Sequence, residues 1–417
     1  MASPASDLAA GAPSLVRQSA FLRLWAARFM GVLAGQIQGV TIAWLIYALA
    51  RAHADVKHAS FAVGMVGLAQ FLPLSLLTLT AGEMADRRDR KAIVAACIAG
   101  QALTAAAFAA VSFARIGALW PIYALAAAFG CARAFLAPAT TALAPMLVPR
   151  ELLPKAIAWN SLSMQAASIT GPAIGGLICA VSPTAAFVVA VALYGLSCLA
   201  ALTIRGETRP VAQPGSRWAL VKEGLTYIWT SRVVIGAISL DLFAVLLGGA
   251  TALLPVFARD VLQVGAQGFG LLRAGPSIGA AAVALVLAAR PIRRHAGAFM
   301  FAGVAVYGAA TVVFALSKLF ALSIAALVVL GGADMLSVYV RQTLVQIVTP
   351  DPMRGRVAAV STLFISASNE LGEFESGVAA RLLGPIGAAL FGGLGALAVT
   401  GLWSALFPTL RKADRLT

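Results

Sequence analysis

Six apolar runs, near residues 21–50, 60–82, 91–114, 118–147, 155–180 and 183–204, are each long enough to cross a bilayer. After a polar interval, six more follow near 232–258, 267–289, 297–317, 319–347, 356–381 and 384–408. A hydrocarbon core of about 30 Å takes roughly 20 apolar residues as a helix. Inside lipid, only helices and closed barrels satisfy their own backbone hydrogen bonds. Runs of this length are too long for barrel strands, so the expected fold class is an all-α membrane protein with twelve transmembrane helices. With 60% of 417 residues hydrophobic and only 11% charged, no soluble domain of this size needs so much apolar surface.

The net charge of +15 does not point to nucleic acid, because the basic residues fall in short groups between apolar runs. They read as loop charges that orient the spans. If both termini are cytoplasmic, the opposite side holds only Arg51, Lys57, Arg115, Arg259, Lys318 and Arg381, while most of the 31 Lys and Arg lie on the cytoplasmic side. That bias predicts an inner-membrane protein with both ends inside. The expected division is a cytoplasmic tail (1–20), a first six-helix bundle (21–204), a central cytoplasmic linker (205–231), a second six-helix bundle (232–408) and a C-terminal tail (409–417). Met1 to Ser19 lacks a short apolar core with a cleavage site and reads as a retained tail, not a signal peptide. In the linker, Trp218, Val221, Leu225 and Ile228 share one helical face, while Lys222, Glu223 and Thr226 lie elsewhere, which predicts an interfacial helix.

A single shift of the second half over the first places Pro149 on Pro350, Gly130 on Gly331 and Gly171 on Gly372. Same-direction repeats of six spans imply two bundles related by an axis along the membrane normal, with a substrate site between them near mid-membrane.

After the second run the chain reads GEMADRRDRK, Gly82 to Lys91. Gly82 permits close helix approach, and Asp86 is placed to accept from Arg87 or Arg90. This segment resembles the signature G-x-x-x-D-R-x-G-R-K of the major facilitator superfamily, with Gly82, Asp86, Arg87, Arg90 and Lys91 in register and Asp89 in place of the central glycine. That substitution is similar to the exporter branch related to the enterobactin exporter. Gly171, Pro172, Ala173, Ile174, Gly175 and Gly176 give GPAIGG, similar to the superfamily's antiporter-associated motif. Physically, Pro172 removes a helical hydrogen bond while Gly171, Gly175 and Gly176 leave a smooth face for another helix. The resemblance implies the two-bundle fold, a cytoplasmic latch at Gly82 to Lys91 between the halves, alternating access, and a monomer.

Charged groups inside spans are costly and mark function. Here they are Arg28, Arg133, Arg273 and Arg341 against Asp241, Asp334, Glu370, Glu373 and Glu375, a near balance that predicts pairing. The repeat shift puts Arg133 on Asp334, which predicts their interaction across the cleft in at least one state. Asp241 and Arg341, at similar depth, form a second candidate pair. Glu370 and Glu373 share one helix face, and Glu375 points nearly the opposite way. Two close carboxylates in a low-dielectric site raise each other's proton affinity, which makes Glu370 and Glu373, with Asp334 and Arg133, the candidates for proton coupling. The alternative for each is a structural ion pair, and for Glu375 a structural role is favoured. No histidine lies in a span, since the three are His53, His58 and His295.

The expected function is secondary active export of a small amphiphilic molecule, with protons entering in exchange. The resemblance suggests a siderophore or drug-like substrate. Gln36, Gln38, Asn160, Gln165, Gln342, Trp44 and Tyr47 are candidate cavity residues, though such residues are more often packing residues than ligand contacts. Import of a nutrient, lysolipid flipping, and a non-transporting sensor or assembly factor remain as alternatives. No phosphate-binding loop and no nucleophile–base–oxyanion spacing appears, so neither ATP hydrolysis nor enzyme chemistry is expected. Cys97, Cys131, Cys179 and Cys198 lie in apolar runs without a CxxC pair, so no metal, cofactor or disulfide is expected. The partners are the substrate, protons and membrane lipid.

Overall fold

The computed structural model describes residues 15–205, 208, 217–292 and 294–413. Most of the expected N-terminal tail, most of the segment from Arg205 to Arg217, and the last four residues lie outside them, as do the side chains of Trp218 and Val221. Every regular element among the described residues is helical. The long ones are α1 (Ser19–His53), α2 (Val56–Arg87), α3 (Arg90–Phe113), α4 (Trp120–Leu143), α5 (Leu153–Val181) and α6 (Pro183–Leu202). They continue with α7 (Arg217–Thr230), α8 (Arg232–Leu247), α9 (Gly265–Ala289), α10 (Ala296–Leu316), α11 (Phe320–Val348) and α12 (Asp351–Leu406). Eleven segments are long and apolar enough to cross a membrane.

Short polar caps let these helices turn back within two or three residues. Asp55 accepts from the His58 amide at 2.9 Å and starts α2. Asp89 accepts from the Lys91 amide at 3.0 Å and starts α3. Thus the residue that replaces a glycine in the family signature acts as an N-cap. Backbone and ring hydrogen bonds from His58 hold the exposed Asp55 carboxyl below its ordinary range. After α8 the seventh run loses regularity, passing through short turns and a π-helical turn at Phe257–Val261. Helix α12, at 56 residues, is interrupted by Gly384 at φ 78°, ψ 165°. Unbroken, it would extend about 84 Å, far more than a bilayer. Glycine reaches this φ without strain, and the following Pro385 has no amide to continue the ladder.

Helices α1 to α6 pack on one another, chiefly α1 with α5 and α6, α2 with α4, and α3 with α4 and α6. Helices α8 to α12 form a second group, α9 and α10 with α11, and α8 and α10 with α12. The groups meet along two seams, α2 on α12 and α5 on α9. Both seams are glycine contacts. A Cβ on Gly64 would lie 2.7 Å from the Gly377 Cα, and one on Gly176 would lie 2.7 Å from the Gly270 Cα. Gly176 and Gly377 are equivalent under the sequence repeat, so each half supplies the same smooth position to its own seam. Helix α7 docks on α12. Its Ile228 is buried in protein, and the Tyr227 hydroxyl donates to the Val348 carbonyl at 3.0 Å.

Candidate functional site

Along the α2–α12 seam the chain gathers four charges. Gly130 lets α4 approach α2 so closely that a Cβ there would lie 2.4 Å from the Gln70 carbonyl oxygen. One turn further on, Arg133 Nη1 donates to Gln70 Oε1 at 3.0 Å and to Glu370 Oε1 at 2.9 Å. Glu370 belongs to α12, so this ion pair joins the two helix groups. One turn along α12, Glu373 packs on α2, where a Cβ on Gly67 would lie 2.8 Å from the Glu373 Cβ. Its Oε1 is 3.8 Å from Nη2 of Arg273 on α9. Two guanidinium groups therefore balance two carboxylates at the seam, as groups in a low-dielectric setting require. Glu375 lies off this network, and its carboxylate accepts from the Ser376 hydroxyl at 3.4 Å.

The expected meeting of Arg133 with Asp334 is not present here, because Arg133 is engaged by Glu370 and Gln70. Equal depth under the repeat does not make α4 and α11 packing partners, since α4 packs chiefly on α2 and α3. Asp334 instead lines a small cavity with Asp241, Tyr307 and Ser337. Arg341 and Asp241 bond directly, and both are more than nine-tenths buried.

The other candidate residues are dispersed. Gln36 Nε2 donates to Ser168 Oγ at 3.5 Å, which ties α1 to α5. Gln165 donates to the Ser277 carbonyl at 2.5 Å across the α5–α9 seam. Trp44 stacks on Phe269 with centroids 6.1 Å apart. Gln342 is exposed. Pro172 and Gly176 meet α9, where a Cβ on Gly270 would lie 2.4 Å from the Pro172 carbonyl oxygen. Gly171 and Gly175 face α1 instead, against Gln36 and Ile37.

The two ends of the molecule differ. At the end where α1 turns into α2, Tyr47 donates to Asp260, and Arg51 Nε lies 3.4 Å from the same carboxylate. Beside them Lys57 donates to the Leu382 carbonyl at 3.3 Å, and Arg381 lies 5.0 Å from the centroid of the Phe61 ring. All four contacts cross between the groups. At the opposite end, the signature residues make contacts inside the first group. Arg87 pairs with Glu83 at 2.7 Å, and Arg90 lies 3.8 Å from Asp86 and donates to the Ala142 carbonyl. Lys91 donates to the Ile204 carbonyl at 2.8 Å. Gly82 lies in the same turn of α2 as Glu83.

Sequence reasoning passed over Gln70 and Asp260. For Asp260 a signal existed, because Asp55 and Asp260 are the only carboxylates in the sparsely charged set of turns. Gln70 carries no distinguishing pattern, and only the α2–α4 contact reveals it.

A sequence profile of the family described as transmembrane secretion effector matches residues 10–416. The chain belongs to that family. The enterobactin exporter EntS of Shigella dysenteriae serotype 1 (strain Sd197) is 27% identical over 387 residues, covering 91% of this chain and 86% of that protein. The corresponding exporter of Escherichia coli O139:H28 (strain E24377A / ETEC) has the same identity and coverage. Among solved structures, a POT family transporter in complex with 5-aminolevulinic acid has a TM-score of 0.74 at 10% identity, over 94% of this chain and 96% of that one. A variant of the nucleoside transporter NupG has a TM-score of 0.72 at 13% identity, over 93% and 100% of the two chains. These likenesses establish the major facilitator fold for this transmembrane secretion effector. It is a multi-pass membrane transport protein of an exporter-like family, not an enzyme.

Proposed function

We propose that this protein exports a small amphiphilic molecule of siderophore-like or drug-like chemistry across the inner membrane, by alternating access coupled to inward proton movement. In this reading Gly384 divides α12 into two spans, so that two six-helix bundles, 21–204 and 232–408, rock about the seams with both termini cytoplasmic. The basic bias of the loops supports that orientation. The end closed by Asp260 then faces outward and the signature end faces the cytoplasm, which makes this the inward-facing state. The relatives named as enterobactin exporters support the substrate class.

The observation that carries the coupling is the Arg133–Glu370 bond at 2.9 Å, a titratable link between the two halves. A proton on Glu370 removes its charge, and Arg133 then loses its anionic partner across the seam. Glu373, one turn away and close to Arg273, is placed to share that proton. Deprotonation on the other side restores the bond, so the ion pair holds the seam in the unloaded carrier, while the loaded carrier is free to change access.

The test is export by Glu370→Gln and Glu373→Gln variants reconstituted in proteoliposomes under an imposed pH gradient. Loss of pH-driven export in either variant, with exchange of substrate down its own gradient retained, is the expected result. Full pH-driven export in both ends the coupling assignment.

A further inference from the structure

Of the arginines inside spans, Arg133 faces Glu370, Arg273 faces Glu373 and Arg341 faces Asp241. Arg28 of α1 faces no carboxylate. Its one polar contact among the described residues runs from Nη2 to the Met164 thioether of α5 at 3.4 Å. A thioether is a weak, uncharged acceptor, and most of the guanidinium's donors stay unused. Asp334 and Glu375, the intramembrane carboxylates that face no arginine among the described residues, belong to α11 and α12 of the second group, and neither pairs with Arg28. A charge inside a span is costly unless something answers it, so Arg28 marks a place where a ligand is to be looked for.

Aromatic rings stand beside this charge. Trp25 and Phe29, one turn apart on α1, stack with centroids 5.9 Å apart and planes 7° from parallel. Trp159 of α5 meets Trp25 edge-on at 5.9 Å, and the Trp25 indole N–H donates to the Trp159 carbonyl at 3.0 Å. The indole donor is thus spent within the protein, which fixes the ring and leaves its apolar surface for other contacts. Trp159 and Met164 are 38% and 42% exposed, so protein does not close over the cluster. Its depth follows from α1. Arg23 donates to the Thr203 carbonyl, next to the Ile204 carbonyl that takes Lys91 of the signature segment. The helix rises about 7.5 Å from Arg23 to Arg28. Arg28 therefore lies just inside the end opposite the Asp260 closure, the end at which an exported molecule enters.

We propose that Trp25, Arg28, Phe29, Trp159 and Met164 form an entry subsite for an aromatic carboxylate, the guanidinium taking the carboxylate and the rings the aryl group. The subsite rests on the export reading for its place in transport, and it narrows the substrate class to planar aryl acids. An arginine fork matches the two oxygens of a carboxylate, and aromatic rings stack or meet edge-on. The rings select against aliphatic acids, and the guanidinium selects against aromatic amines. The experiment is equilibrium binding of tritiated naphthoate to the full chain in phosphatidylcholine nanodiscs, with cyclohexanecarboxylate, naphthylmethanol and naphthylmethylamine as competitors. Saturable binding of about one per chain is expected, with each competitor about tenfold or more weaker than unlabelled naphthoate. Arg28→Gln is expected to weaken naphthoate about tenfold or more and to abolish its advantage over naphthylmethanol. Trp159→Leu is expected to abolish its advantage over cyclohexanecarboxylate. Should Arg28→Gln fail to fold, phenylglyoxal modification of Arg28 in the wild type, read by mass spectrometry, is expected to be slowed by naphthoate and not by naphthylmethanol. No saturable binding, equal affinity for the acid and the alcohol, or unchanged naphthoate binding in Arg28→Gln overturns the proposal. So does loss of naphthoate binding at high salt when phosphatidylglycerol is added, which assigns the cluster to a lipid phosphate. Binding is read without a pH gradient, so its failure leaves the Glu370 coupling reading standing, and failure of that reading leaves this site standing.

Discussion

At the scale of single residues, Asp260 ties the two groups together at one end. Its carboxylate takes a hydroxyl from Tyr47 and lies beside Arg51, so two residues of α1 are tied to one turn of the second group. A hydrogen bond to a charged group is worth about 1.5–3 kcal/mol, and the Tyr47 ring is fully buried. Asp260→Asn is therefore expected to raise the population open at that end about tenfold or more. Distances between spin labels at His53 and Leu383 would show this as a new, longer component, and superimposable distributions would remove Asp260 from the latch. The Asp241–Arg341 pair makes a different prediction. Asp241→Ala strands a buried guanidinium and is expected to cost about 3–5 kcal/mol, whereas Asp241→Leu combined with Arg341→Met costs much less. Thermal unfolding followed by size-exclusion chromatography separates the two. Sequence alone suggested this pair from depth and opposite direction. It suggested Asp334 for Arg133 in at least one state, where this structure shows Glu370, because depth says nothing about which helices touch.

Among the elements, α5 and α12 are the two copies of one packing helix, and the sequence revealed that much. GPAIGG and GEFESG fall on the same frame, with Gly176 and Gly377 as the shared position of close approach. What the sequence did not reveal was the partner of each copy, since glycine marks a smooth face without naming what lies on it. The apolar runs were legible because length and hydropathy are local properties. The irregular seventh run was not, because its π-helical turn at Phe257–Val261 is imposed by packing around buried Phe257 and by Asp260 reaching Tyr47. Bulk at the shared position should act on the seam more than on folding. The Cα of Gly64 lies 2.8 Å from where a Gly377 Cβ would sit, and backbone cannot give way cheaply. Gly377→Val and Gly176→Val are thus each expected to disfavour the state closed at the Asp260 end while leaving the opposite state intact. Labelling of a cysteine at Phe61 by a membrane-impermeant reagent should rise severalfold in both variants, and unchanged labelling with normal folding would count against seam control.

For the molecule as a whole, few polar links among the described residues fasten the two groups, so each link carries a large share of the equilibrium between states. Arg133–Glu370 is an ion pair that joins them at the α2–α12 seam, and its geometry allows a test by exchange. Arg133→Glu alone sets like charges together beside Glu373, and Glu370→Arg alone sets two guanidinium groups beside Arg273. In a partly buried site such repulsion costs several kcal/mol, so each single reversal is expected to lower export by about a hundredfold. The double variant restores one cation facing one anion between α4 and α12. If the link matters as a link, the double variant recovers about tenfold or more of the lost export. Its pH profile should then move as well, because the titrating carboxylate now sits on α4, next to Gln70 and away from its turn-neighbour Glu373. Recovery with an unchanged pH profile would assign the seam pair to structure and leave proton coupling to another group. No recovery at all would mean that the two residues act separately, and the halves would have to be coordinated by the Asp260 latch and the glycine seams alone.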